Sequence, residues 1–336
     1  MKQTIQTRRR FIGIIAAASG LAMVPLALRQ ARASYAPAVQ PVIWRGVALG
    51  ADAELRIYHP DPVIAQKLID QSVAEVHRLE KIFSLYQEDS ALSLLNRQGF
   101  INSPPADLLR LLAESQHFSQ LTGGAFDPTV QPLWKLYAGH FSTAQADPDG
   151  PGIAAVTQAL SLVDYSALEL DPAYIRYLRP DMAMTLNGIA QGYITDRVTQ
   201  LLRNAGLDRA LIDMGEIQGL NKLDGAEPWK VGLADPDDPK KVFDTVEIRN
   251  QALATSGGYG THLDTAGRFT HIFDPKTGLS QPRYRSVSVT AANATTADAL
   301  STAFSTMSLP DAEQVIKKLG VKAWFLMEDG SKVVVS

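Results

Sequence analysis

LATSGGYGTHLDTAGRFTHIFDPKTG, residues 253–278, and SVSVTAANATTADALSTAF, residues 286–304, form the stretch around which the rest of the chain is organised. Ser256-Gly257-Gly258 reads as a backbone-permissive turn where the main chain can approach an anionic ligand closely. His271 and Asp274 stand three apart, followed by Pro275 and a Lys276-Thr277-Gly278 turn. Asp298 and Thr302 stand four apart in an alanine-rich segment. If that segment is a helix, the carboxylate and the hydroxyl share one face about one turn apart. Two hard oxygen ligands, a histidine and a Gly-rich turn are the parts that metal-assisted phosphate chemistry requires.

Taken singly, each residue also has an ordinary reading. Asp298 can serve as a helix N-cap, with Thr295 or Thr296 as competitors, and Thr302 as a helix residue bonding back to a carbonyl. Asp274-Pro275-Lys276-Thr277-Gly278 also suits a plain turn, because Asp, Pro and Gly favour turns for local reasons. The functional reading rests on their coincidence.

The stretch resembles the C-terminal signature of the ApbE family, whose members are FAD:protein FMN transferases. The likeness continues through four earlier segments in family order. Leu49-Gly50-Ala51 stands where the family usually has Met-Gly-Thr near the flavin. Tyr86, in FSLYQEDS (83–90), matches a tyrosine that packs on FAD; an aromatic there supplies a stacking face for a flat heterocycle. Thr122-Gly123-Gly124-Ala125-Phe126-Asp127-Pro128-Thr129-Val130 resembles the second signature, and Thr185-Leu186-Asn187-Gly188-Ile189-Ala190-Gln191-Gly192-Tyr193 the third.

The resemblance implies roles residue by residue. Leu49, Tyr86, Ala125, Phe126, Asp127, Thr185, Gln191 and Ile272 would contact the flavin nucleotide. Asp298, Thr302 and the Gly188 carbonyl would hold Mg²⁺. His271, with an ordinary pKa of about 6.5, would accept the proton of the attacking hydroxyl, and Asp274 would orient the loop or the histidine. Relatives more often carry Asp and Lys at the positions of Thr185 and Gln191. Gln donates hydrogen bonds but does not neutralise phosphate as Lys does. Where Met214-Gly215-Glu216 stands, relatives usually have a Gly-Gly pair.

What the resemblance implies is transfer of FMN from FAD to a Thr or Ser hydroxyl of an acceptor flavoprotein through a phosphoester bond, releasing AMP. Two alternatives stand beside it. Water in place of the hydroxyl gives an FAD pyrophosphatase, and loss of chemistry gives a non-catalytic flavin-binding assembly protein. The GIAQGY and MGEI variants, with the export signal described next, look most like the subgroup associated with nitrous-oxide respiration. The acceptor would then be exported or membrane-bound.

Residues 1–33 read as a twin-arginine signal: Thr7-Arg8-Arg9-Arg10-Phe11-Ile12, an apolar run to about Leu28, and Ala31-Arg32-Ala33 as a small-residue cleavage site. An uncleaved membrane anchor is the competing reading. With cleavage near Ala33, residues 34–336 form one flavin-transferase domain in the periplasm. Loss of the six cations in the leader takes the net charge from −3 to −9, which argues against nucleic acid as a partner. The chain has no cysteine, so it offers no disulfide, thiolate nucleophile, Fe–S cluster or lipoprotein anchor.

Periodicity supplies the rest. Trp44 to His59 alternates as a strand, while 62–83 and 106–121 have apolar residues at helical spacing. Residues 139–152 read as a surface excursion, 163–178 as two short strands joined by a turn, and the third signature leads into a helix to Ala205. Leu211 to Glu216 reads as strand and turn, and 229–249 as strands bridged by the polar DPDDPKK. A helix from Asp311 and strands near 323–327 and 333–335 close the chain. Interleaved helices and hairpins predict an α+β fold with mixed or antiparallel sheets and flanking helices.

Overall fold

The computed structural model describes residues 39–222, 226–238 and 240–336. The leader expected over 1–33 lies outside the described residues.

The first alternating stretch is a hairpin rather than one strand: β1 (Val42–Ala48) pairs antiparallel with β2 (Ala51–Ile57). Two residues make the turn, Leu49 at φ 46° and Gly50 at φ 79°. Both lie in the left-handed region that two-residue hairpins require. The alternation runs unbroken through the turn, and leucine is not a turn-forming residue, so the pattern concealed it. Leu49 is held there by its N–H, which donates to Glu80 Oε1 at 2.8 Å.

The helix α1 (Pro62–Phe83) has the predicted bounds. Asp61 caps it, accepting from the Val63 and Ile64 N–H groups, a contribution of about 1 kcal/mol. Next come α2 (Ala91–Gln98), capped by Ser90 and ended by left-handed Gly99, then β3 (Phe100–Asn102) and α3 (Ala106–Leu121). α4 (Gln131–Phe141) runs into the start of the expected surface excursion, and α5 (Ile153–Leu160) follows it. β4 (Leu168–Asp171) and β5 (Tyr174–Tyr177) form the expected small hairpin.

The second half carries α6 (Ala190–Asn204), β6 (Arg209–Asp213), β7 (Ile217–Asn221), β8 (Trp229–Ala234), β9 (Val242–Ile248) and β10 (Ala252–Ser256). Then come β11 (Ser286–Ala291), α7 (Ala294–Phe304), α8 (Leu309–Leu319), β12 (Lys322–Leu326) and β13 (Lys332–Val335).

Eight strands form one sheet in the order β1-β2-β6-β7-β10-β11-β12-β13, and every pairing in it is antiparallel. β3-β5-β4 and β8-β9 form smaller sheets, and the whole is α+β. α7 packs on β10 and β11, α6 packs on α7, and α1 packs on α6. Between helices and sheet lies the main core, with Leu55, Ile57, Leu79, Val198, Val289, Phe304 and Phe325 all fully buried or nearly so. A second core of Leu211, Ile217, Trp229, Val231, Leu253 and Trp324 joins the β8–β9 ribbon to the main sheet. Alternation decides this split: neighbouring β6 residues Leu211 and Ile212 point to opposite faces and enter different cores.

Candidate active site

Segments far apart in sequence meet around a cavity of about 250 Å³. The loop after α3 supplies Ala125, Phe126, Asp127 and Pro128; the approach to α6 supplies Thr185, Gly188 and Gln191. The end of β10 supplies Ser256, the loops after it supply Gly257, Tyr259, His271 and Ile272, and α7 supplies Asp298 and Thr302.

Of the thirteen residues singled out from the sequence, ten line this cavity: His271, Ala125, Phe126, Asp127, Thr185, Gln191, Ile272, Gly188, Asp298 and Thr302. Leu49 does not line it; Ala51 and Asp52, just beyond the hairpin turn, do. Tyr86 lies in a neighbouring cavity of about 510 Å³, which shares Trp134 and Asn187 with the first and also contains Arg97 and Lys135. The Tyr86 side chain is prominent there, with the residue 67% exposed. Asp274 is not part of the wall. Its Oδ1 accepts from the Lys276 N–H at 2.9 Å and its carbonyl from the Gly278 N–H at 2.8 Å, so it shapes the turn as its local sequence suggests.

Asp298 and Thr302 do occupy one face of α7. Asn293 caps that helix, accepting from the Thr296 N–H, which removes the reading of Asp298 as its own helix's cap. Asp298 is 3% exposed, and its Oδ2 accepts from the Gly192 N–H in the first turn of α6 at 2.9 Å. A carboxylate at a helix N-terminus also meets the positive end of the helix dipole. Thr302 Oγ1 stands 3.5 Å from the Gly188 carbonyl oxygen and 3.3 Å from Ser256 Oγ. A Cβ at Gly188 would meet Thr302 Oγ1 at 2.9 Å, so glycine allows this approach.

The glycines of the Ser256-Gly257-Gly258 turn act through space rather than through φ. Gly257 is extended, at φ −165°. A Cβ on it would meet the Tyr259 ring at 2.3 Å, and one on Gly258 would meet Thr270 Cγ2 at 2.8 Å. His271 is half-buried, with Nδ1 3.3 Å from the Thr261 carbonyl oxygen. A carbonyl only accepts, so the neutral ring carries its proton on Nδ1 and its lone pair on Nε2. That is the tautomer a proton acceptor at Nε2 requires.

The electrostatics are one-sided. Asp52, Asp127, Asp213, Glu216 and Asp298 line the cavity, and among the described residues no Lys or Arg does. Asp127 accepts from the Thr129 N–H and hydroxyl and from the Tyr165 N–H, so its carboxylate ties the loop together while burial pushes its pKa up. Burial, with Glu54 and Asp52 nearby, raises Asp213 to about 6 against the opposing Gly215 N–H and Arg56. Burial, aided by Glu216, pushes the Tyr259 hydroxyl up to about 12. A phosphate-bearing ligand enters such a wall only together with cations.

The oxygens of Asp298, Thr302 and Gly188 fit that need. One carboxylate with a hydroxyl and a carbonyl is a hard set suited to Mg²⁺, which keeps several waters and takes few carboxylates. No group of three His, Cys, Asp or Glu is placed to hold a metal among the described residues. An ion here would therefore rest largely on neutral oxygens. Sequence reading missed Asp52, Trp134, Asp213 and Glu216. The signal for Asp213 was faint: a single acid closing the apolar run Ala210-Leu211-Ile212 just before a glycine turn.

The sequence matches the model described as "ApbE family" over residues 49–325. It is 31% identical over 319 residues to the FAD:protein FMN transferase of Treponema pallidum, covering 84% of this chain and 83% of that protein. The fold is similar to the crystal structure of the ApbE protein of Thermotoga maritima, with TM-score 0.78, 27% identity, and 88% and 97% of the two chains covered. It is also similar to the flavin transferase ApbE of Vibrio cholerae, with TM-score 0.74, 25% identity, and 88% and 97% covered.

Proposed function

The chain belongs to the ApbE family, and from that membership we propose that it is an FAD:protein FMN transferase working in the cavity described above. The observation that carries this reading is the convergence of His271, Asp298, Thr302 and Gly188 on one acidic cavity. In the reaction, the hydroxyl oxygen of an acceptor Thr or Ser attacks the phosphorus of the FMN half of FAD. A phosphoester bond forms, the phosphoanhydride bond breaks, and AMP leaves with the bond electrons.

His271 takes the hydroxyl proton at Nε2, the nitrogen left with the lone pair when Nδ1–H faces the Thr261 carbonyl. Asp298, Thr302 and the Gly188 carbonyl would hold Mg²⁺, which when bound neutralises phosphate charge. The Gly257 and Gly258 backbone, free of side chains, lets the ligand lie close to the wall. Asp127 keeps the Ala125–Pro128 loop in place through its three accepted hydrogen bonds.

The acceptor is a flavoprotein carrying a threonine-containing segment, exported or membrane-bound, and the subgroup is the one associated with nitrous-oxide respiration. The threonine segment is what the family resemblance implies; the exported setting and the subgroup rest on the twin-arginine signal and on the GIAQGY and MGEI variants. The test is mass spectrometry of a candidate acceptor co-expressed with this chain. One FMN on one threonine, lost in the His271→Asn variant, is the expected result. Free FMN and AMP with an unmodified acceptor would replace the transferase reading by the FAD hydrolase.

A further inference from the structure

α6 and α7 cap each other. Ile189 precedes α6 and offers no side-chain cap; instead Asp298 of α7 accepts from the Gly192 N–H. In the other direction, Asp196 of α6 accepts from the first turn of α7. Its Oδ1 takes the Ala294 N–H at 2.8 Å, and its Oδ2 takes the Thr295 N–H at 2.8 Å and the Thr295 hydroxyl at 2.5 Å. Between these bonds the helices touch: a Cβ on Gly192 would stand 2.3 Å from the Ala294 carbonyl oxygen and 2.8 Å from Asp298 Cβ.

This matters because the candidate ligand set is split between the two helices. Gly188 lies just before α6, whereas Asp298 and Thr302 ride on α7, and Thr302 Oγ1 comes within 3.5 Å of the Gly188 carbonyl oxygen. The distance between the halves depends on how far α7 slides along α6. Asp298 has its Oδ2 on the Gly192 N–H, which ties α7 to the first turn of α6. Asp196 is the one other carboxylate bonded across the joint among the described residues. Its charge makes each of its bonds stronger than a neutral one.

We propose that Asp196 is a positioning residue for the cation site: it locks α7 against α6 so that the Gly188 carbonyl and the Asp298 and Thr302 oxygens face one point. This rests on the reading of those three groups as the Mg²⁺ site. Partners bonded directly to metal ligands change metal affinity by about 10–100-fold when mutated. Asp196 bonds the first turn of the helix that carries two of the ligands, so its effect falls at the low end of that range. Asp196→Asn keeps the size of the side chain but turns an N–H₂ group toward one of the donors that Asp196 now accepts from.

The experiment titrates Mg²⁺ by calorimetry into the full chain, with and without FAD, alongside the Mg²⁺ dependence of turnover. Asp196→Asn should need several-fold to roughly 10-fold more Mg²⁺ for half-saturation, while kcat at saturating Mg²⁺ and FAD affinity stay near wild type. A merely structural role would lower the melting temperature and the active fraction without moving the Mg²⁺ midpoint, and that result overturns the proposal. If Asp196→Asn does not fold, Thr295→Val decides, since it removes only the hydroxyl bond. A smaller shift of the midpoint in the same direction supports the proposal; an unchanged midpoint overturns it. A wild-type chain that binds no Mg²⁺ under either condition removes the cation site itself, a failure distinguishable from wild-type binding with an unmoved variant.

Discussion

His271 and Asp298 line the same cavity, but they are assigned different work, and their variants should separate it. Asp298→Asn removes the only charge among the three proposed Mg²⁺ ligands, so metal affinity should fall and high Mg²⁺ should restore part of the rate. His271→Asn should leave FAD and Mg²⁺ bound while slowing transfer by about 10²–10⁴-fold, with no recovery on adding metal. Turnover against Mg²⁺ concentration checks both, and a like response from both variants would end the division of labour. Asp213 yields a prediction about stability. Its folded pKa of about 6 lies above its ordinary value of about 3.9. Between those values the folded chain holds the proton and the unfolded chain releases it. The contribution is thus fully present below pH ~4 and is lost as pH rises through about 6. Asp213→Asn should stabilise the ligand-free protein by on the order of 2 kcal/mol at pH 7.5 and by little at pH 4. Denaturant titrations at the two pH values test this, and an equal gain at both would show that the buried charge is not the cause.

At the scale of elements, the contact between α6 and α7 turns on Gly192. Alanine is favoured over glycine inside a helix by about 1 kcal/mol, so propensity alone predicts that Gly192→Ala stabilises. The new methyl would sit 2.3 Å from the Ala294 carbonyl oxygen, and overpacking of this kind costs about 1–3 kcal/mol. The clash should win: the melting temperature should fall, and the Mg²⁺ midpoint should rise because the two halves of the ligand set part. A higher melting temperature would contradict the close approach. The same joint shows what could be read in advance. Asp298 and Thr302 declared themselves by spacing within one helix, and α1 and α3 by apolar period, because these are local patterns. Asp196 gave no sign, because its partners Ala294 and Thr295 lie nearly a hundred residues away. The hairpin turn at Leu49-Gly50 was hidden for the opposite reason. Its local pattern looked like continuous strand, and the φ of Leu49 is supported by the bond its N–H donates to distant Glu80. Asp52 and Asp213 reach the cavity through the pairing of β2 with β6, where Glu54 stands opposite Asp213, and pairing partners are not written in either strand.

At the scale of the molecule, the site depends on a sheet covered differently on its two faces. The face under α6 and α7 carries the ligand-bearing helices; the β8–β9 ribbon, through Trp229 and Val231, covers the other with its own core. No helix among the described residues is long and apolar enough to cross a membrane. Any export or anchoring is therefore argued from the leader alone, whose residues lie outside those described. If Arg8-Arg9 before an apolar run is a twin-arginine signal, the route is one that carries folded proteins. A fold that assembles its cavity from segments far apart in sequence suits that route, since the site exists only once the chain is folded. Arg8→Lys with Arg9→Lys should therefore keep the protein in the cytoplasm, because the receptor reads the arginine pair rather than positive charge. The arginines lie outside residues 49–325, which match the family model, so FMN transfer by the retained protein to an acceptor supplied in vitro should match that of the parent. Fractionation followed by activity assay tests both halves. Full export of the double variant would refute the twin-arginine reading while leaving the transferase reading untouched. Retention with lost activity would show that folding is tied to export.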